Sequence, residues 1–181
     1  MLEPRTGRLL VASPLLEDPN FARTVVLICA HGDEGTLGLV LNRPLEASVV
    51  DHVAVWSEFC SPPAWIFAGG PVAPSTVLGL ARAEPSALGT VFEGDLGLID
   101  LEAPPSTLAD RLRGLRLYAG HSGWGAGQLA AELAQEAWFV VDTAPSDVFS
   151  DEPATLWREV LRRQRGDVQL LAFYPRDADL N

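Results

Sequence analysis

Apolar residues along this chain come in short runs broken by Gly and Pro, and few stretches repeat at helical spacing. That pattern predicts mixed α and β structure. Residues 8–12 and 23–30 read as strands; the second, RTVVLICA, is rich in β-branched side chains and ends at the turn HGDEG. Residues 36–41 follow that turn closely, so the two runs predict an antiparallel hairpin. Over 46–59 the positions of Val49, Val50, Val53 and Trp56 fit one helical face. Short strands are predicted at 65–68, 77–83 and 97–101, with 82–95 turn-rich, followed by a short helix at 105–112 that opens with Pro. A strand at 115–119, a helix at 127–137, a strand at 138–143 and an amphipathic helix at 153–164 come next, while 168–174 fits either state. No repeat or linker divides the chain, so one domain is expected over 1–181. Early hairpins with a single late strand–helix–strand unit favour α+β over a doubly wound sheet.

Composition narrows the function. Of 181 residues 48% are apolar and 20% charged, close to the globular average and enough to bury a core. Every Lys+Arg residue is Arg, and 13 of them against 24 Asp+Glu give a net charge of −11. Such a field repels nucleic acid and anionic membranes, so direct DNA binding and membrane attachment are not expected. The first residues carry only a short apolar stretch broken by Pro14, unlike a signal peptide. The longest charge-free window, 59–81, is interrupted by Pro62, Pro63, Pro71 and Pro74, which exclude a spanning helix. A cytoplasmic protein is expected, with Cys29 and Cys60 as buried thiols, although a pairing stays open.

Several constellations invite a chemical reading. Gly125, Gly127 and Ala130 satisfy G-x-G-x-x-A at the opening of a predicted helix, and Asp142 stands where a ribose-binding acid would fall. A nucleotide- or phosphometabolite-binding enzyme would use this turn, Gly123 to Gly127; the alternative is that these glycines allow a tight strand–helix junction. The run 120–124 approaches a nucleophile elbow but has Trp124 where that turn needs Gly. A hydrolase would use Ser122 with His31 or His52, and neither spacing nor turn chemistry selects them. His31, His52 and His121 lie far apart without a metal-binding motif, so no metal is expected. Trp56, Trp138 and Trp157 read as core, whereas Trp124 either covers a pocket or plugs the end of the core.

Taken together, GRLLVASP at 7–14, Phe21, His31, GLVLNRP at 38–44, GGPV at 69–72, Gly120, Gly123-Trp124 and GQL at 127–129 resemble the YqgE/AlgH family of bacterial proteins. The terminal Leu180-Asn181 resembles the ending of its Arg-rich members. The resemblance implies an α+β single domain whose bifurcated, mostly antiparallel sheet forms a pseudo-barrel flanked by helices. It also implies an indirect regulatory role, since the family carries a transcriptional-regulator label through one member's link to alginate production. Members commonly carry a Tyr-Ala or similar pair where this chain has His121-Ser122, which weakens a hydrolytic reading. The expectation is a non-enzymatic protein without cofactor that contacts a protein partner or small ligand. The candidate pocket comprises Asn42, Arg43, Gly69, Gly70, His121, Trp124 and Gln128, with Arg43 meeting an anion. The alternative is that Arg43 pairs with a carboxylate of its own chain.

Overall fold

A computed structural model describes residues 2–175; the Leu180-Asn181 ending lies outside them. Ten strands form one branched sheet: β1 (Leu9–Ala12), β2 (Val25–Gly32), β3 (Gly35–Val40), β4 (Pro44–Ser48), β5 (Trp65–Ala68), β6 (Val72–Ala83), β7 (Thr90–Glu93), β8 (Leu96–Ile99), β9 (Leu112–Gly125) and β10 (Trp138–Val141). The order along the main path is β10-β1-β2-β3-β9-β6-β8-β7, and a side branch joins β4 to β5 and β5 to β9. Every pairing is antiparallel except β5 with β9.

The branch point is β9. Residues between Leu112 and His121 pair with β6, while on the other edge Leu117–Ala119 pair with β5 and Ser122–Gly125 with β3. One strand therefore holds two leaves of sheet together. The ends of the path, β10 and β7, do not pair, so the sheet curls without closing into a barrel. Gly7, before β1, nevertheless packs against Glu93 of β7, where any Cβ would collide with the carboxylate. The α+β, bifurcated, mostly antiparallel architecture is thus the expected one.

Side-chain alternation assigns each strand to two cores. In β1 and β2, Leu9, Val11, Val25, Leu27 and Cys29 face a central cluster, where they meet Trp157, Val160 and Leu161 of α3 (Leu156–Arg162). Leu10, Ala12, Val26 and Ile28 face the opposite side, covered by α2 (Gln128–Ala134) together with Trp124 and Trp138. Each such burial contributes about 1.5–3 kcal/mol for a large aliphatic side chain. A third cluster packs Val49 and Trp56 against Ile66, Leu115 and Leu117 on the second leaf.

Four sequence expectations are corrected. Residues 46–59 do not form one helix: β4 runs to Ser48, and α1 (Val49–His52) gives way at once to a 3-10 helix, Ala54–Phe59. The β-branched Val49, Val50, Val53 and Val55 disfavour a longer α-helix, and Val50 turns out 56% exposed. Residues 105–112 make two single 3-10 turns instead of a helix. The turn-rich 82–95 contains β7, paired with β8 around Gly94. Last, the late strand–helix–strand unit is not a local one, because β3, β2 and β1 separate β9 from β10 and α2 crosses between them. The ambiguous 168–174 is helical, with α4 (Asp167–Leu170) running into a 3-10 turn.

Candidate functional site

The glycine-rich run 123–127, read from sequence as a turn, begins as the last residues of β9, which continues from Leu112 through Gly120 to Gly125. Pairing on both edges overrides the glycine signal: His121 faces Val72, while Gly123 and Trp124 face Leu37 and Thr36. The Gly125 N–H, one of the donors a phosphate would use at this turn, is taken by Gln128 Oε1 at 3.0 Å. The hydroxyl of Ser122 is fully buried and donates to the Gly69 carbonyl at 3.1 Å, away from any imidazole contact. His31 instead shares a 2.7 Å hydrogen bond with Thr36 across the β2–β3 hairpin. Among the described residues no group of His, Cys, Asp and Glu is arranged to hold a metal ion, and both cysteines are free thiols.

Gly69 and Gly70 serve close backbone packing. The Gly69 carbonyl also accepts from Val40 N at 2.9 Å. Gly70 sits at φ +149° with the space of its Cβ filled by the His121 backbone at 2.4 Å. A side chain there would push β9 away from the chain entering β6.

Trp124 plugs the core end. It is 5% exposed, stands 5.7 Å from both Phe21 and Trp138, and donates through Nε1 to Glu132 Oε2 at 2.9 Å. Trp138 Nε1 donates to the same oxygen at 2.8 Å, and Gln128 Nε2 reaches Glu132 Oε1 at 2.9 Å. Glu132 is thus the anchor of α2. Sequence reading missed it, because a Glu on an exposed helix looks like solvated surface; the nearby Trp residues were the available signal.

Asn42 and Arg43 stand at a different place. Asn42 Oδ1 accepts from Val25 N at 2.9 Å and its Nδ2 donates to the Arg23 carbonyl at 3.0 Å. This clamp holds Arg23 in a left-handed conformation, φ +57°, which a non-glycine residue adopts only when its surroundings enforce it. The Arg23 guanidinium then stacks 4.7 Å over the Trp157 ring and donates to the carbonyls of Tyr174 and Pro175. Arg43 donates from Nη2 to the Ala22 carbonyl at 2.5 Å. Among the described residues it forms no ion pair.

These residues border one cleft of about 450 Å³, completed by Ala22, Ala154, Trp157 and Arg158. Three guanidinium groups line it and, among the described residues, no carboxylate does; that of Arg23 is already engaged by the Tyr174 and Pro175 carbonyls. Arg23 and Arg158 went unnoticed in sequence because nothing near either of them forms a motif. Of the candidate pocket, Asn42 and Arg43 line this cleft, and Gly70 borders a second groove that also reaches Arg43. Gly69 is adjacent through its bond to Val40, whereas Trp124 and Gln128 stand apart with Glu132. His121 is half-buried on β9 opposite Val72.

A second cationic feature is internal. Arg116 on β9 is 1% exposed and donates to the carbonyls of Pro62 (2.7 Å), Ser150 (2.9 Å) and Val148 (3.5 Å), with its guanidinium 4.4 Å over the Phe67 ring. Burial lowers its pKa, and proximity to Tyr118 partly opposes the shift. It ties the 148–150 segment to the sheet and faces no cleft solvent.

Comparison with known proteins agrees with this architecture. A UPF0301 protein of Streptomyces coelicolor is 50% identical over 97% of this chain and 95% of its own, and one of Thermobifida fusca is 47% identical over the same shares. The crystal structure of protein DIP2367 from Corynebacterium diphtheriae superposes with a TM-score of 0.89 at 32% identity, covering 96% of this chain and 94% of that one. The solution structure of the AlgH protein from Pseudomonas aeruginosa gives 0.71 at 28% identity over 98% and 99%. No helix among the described residues is long and apolar enough to cross a membrane. Residues 9–169 match the profile described as AlgH-like, and the chain belongs to that family, whose molecular function is unassigned.

Proposed function

We propose that this protein is a non-enzymatic cytoplasmic binding protein that exerts an indirect regulatory role through an anionic group seated in the cleft of Arg23, Arg43 and Arg158. One observation carries the reading: the guanidinium groups of Arg43 and Arg158 line a single cleft in which no carboxylate stands among the described residues, in a chain of net charge −11. A guanidinium stays charged at any physiological pH and offers a planar fork suited to carboxylate and phosphate oxygens. Arg43 spends one donor on Ala22, which fixes its direction and leaves the others for a ligand. The anion comes from a protein partner or a small ligand. Direct contact with DNA is disfavoured, because three arginines do not offset the surrounding acidic field.

The test is titration of inorganic phosphate and of succinate into the protein, followed through the arginine Nε–Hε signals in ¹H–¹⁵N spectra. Arg43 and Arg158 signals are expected to move saturably, and Arg43→Ala to abolish the saturation. The same substitution removes one hydrogen bond, so stability is expected to fall by only about 0.5–1.5 kcal/mol. A purely structural Arg43 gives the reverse: no saturable shift and a large loss of stability.

A further inference from the structure

Arg43 stands between two clefts. Beyond it lies a groove of about 590 Å³ bounded by Pro44 and Leu45 of β4 and by Gly70, Pro71 and Pro74. Arg43 is the only charged residue lining that groove among the described residues, and four prolines line it. Proline rings give up almost no side-chain entropy on contact and cannot move aside, so the walls are rigid and apolar. Leu45 is 38% exposed. β4, to which Pro44 and Leu45 belong, pairs only with β5, which leaves its other edge without a ladder among the described residues.

We infer that the two clefts form one surface for an extended peptide segment of a partner protein, with an acidic side chain against Arg43 and Arg158 and apolar residues following along β4. This rests on the reading of the arginine cleft as an anion site. A small anion bound to the guanidinium groups would leave the proline-walled groove empty. A peptide uses both: its acidic side chain meets the arginines, its apolar side chains meet Leu45 and the prolines, and its main chain meets a strand edge of the kind used in β-strand addition. The arginines make this spot complementary to an acidic side chain although the chain as a whole carries a net charge of −11.

The probe is a fluorescein-labelled octapeptide pool with two aspartates followed by six positions drawn from Leu, Val, Ile, Ala and Pro, titrated with the full chain and read by anisotropy. A matched pool carries Asn for Asp, and inorganic phosphate is the small-anion control. The acidic pool is expected to bind, and the Asn pool to bind at least about tenfold more weakly, as loss of charge-assisted contacts requires. Leu45→Ser changes an exposed side chain, so far-ultraviolet dichroism should be unaltered. It is expected to weaken the acidic pool by about tenfold through lost apolar contact, while leaving the phosphate-induced arginine shifts intact. If phosphate moves the arginine signals but the pool binds no better than phosphate, or ignores Leu45→Ser, the peptide inference fails and the anion-site reading stands. If neither phosphate nor the pool binds, both fail.

Discussion

Replacing Glu132 by Ala leaves two buried indole N–H groups without an acceptor. Trp124 and Trp138 are 5% and 1% exposed, and both donate to the same carboxylate oxygen. A hydrogen bond to a charged group is worth about 1.5–3 kcal/mol, and a buried donor left unpaired costs about 1–3 kcal/mol. Glu132 itself is half-buried, so water can reach the vacated position and replace part of the loss. The expected destabilisation is therefore near the lower end for two bonds, about 3 kcal/mol. In a chain of this length that lowers Tm by about 6–12 °C. Glu132→Gln keeps an oxygen for the two indoles but turns an amide nitrogen towards Gln128 Nε2, so about 1 kcal/mol is expected. The assay is urea unfolding followed by circular dichroism, with Trp124→Phe and the double variant completing a cycle. A coupling of about 1 kcal/mol between positions 124 and 132 is expected. A loss below about 0.5 kcal/mol for Glu132→Ala, a surface-like value, would refute the reasoning, as would equal losses for Ala and Gln.

Gly70→Ala places a Cβ 2.4 Å from the His121 backbone at a φ that L-residues rarely adopt; a loss of more than about 3 kcal/mol is expected in the same unfolding assay. Arg116→Met leaves three carbonyls without their donor; the expected cost is about 1–3 kcal/mol, with amide exchange accelerating around 148–150. Burial raises the Cys60 thiol from 9.0 to about 11, against a smaller opposing pull from Arg116. Its alkylation by iodoacetamide at pH 8 should therefore be about 100-fold slower than that of an unperturbed thiol, with full reactivity restored in urea. Because the folded pKa lies above the unfolded one, this thiol's contribution to stability is complete below pH 9.0 and is lost as pH rises towards 11, which unfolding across that window in wild type and Cys60→Ser would reveal.

The central strands were legible because their alternation is unambiguous: β1, β2, β3 and β10 fall within two residues, at each end, of where the apolar runs place them. Elements whose form depends on distant partners were not. Gly120 and Gly123 signal a turn by composition, and only pairing with β3 and β6, remote in sequence, extends them into β9. Trp56 was rightly read as core, but the helical face drawn through Val49, Val50, Val53 and Trp56 dissolves into a short helix and a 3-10 turn that bury Val49 and expose Val50. In the site, Asn42 and Arg43 stood out through the motif they share with relatives. Arg23 and Arg158 reach the same cleft from elements far apart in sequence, and no local pattern reports such convergence.

The branch at β9 also governs how the chain must be made. β3 pairs with residues that emerge from the ribosome roughly 85 positions later, which at about 5–20 residues per second leaves its edge unmatched for roughly 4–17 s. β1 waits longer still for β10. A hairpin-linked β1–β2–β3 sheet formed in that interval would offer two unpaired edges, the kind of template on which neighbouring chains pair.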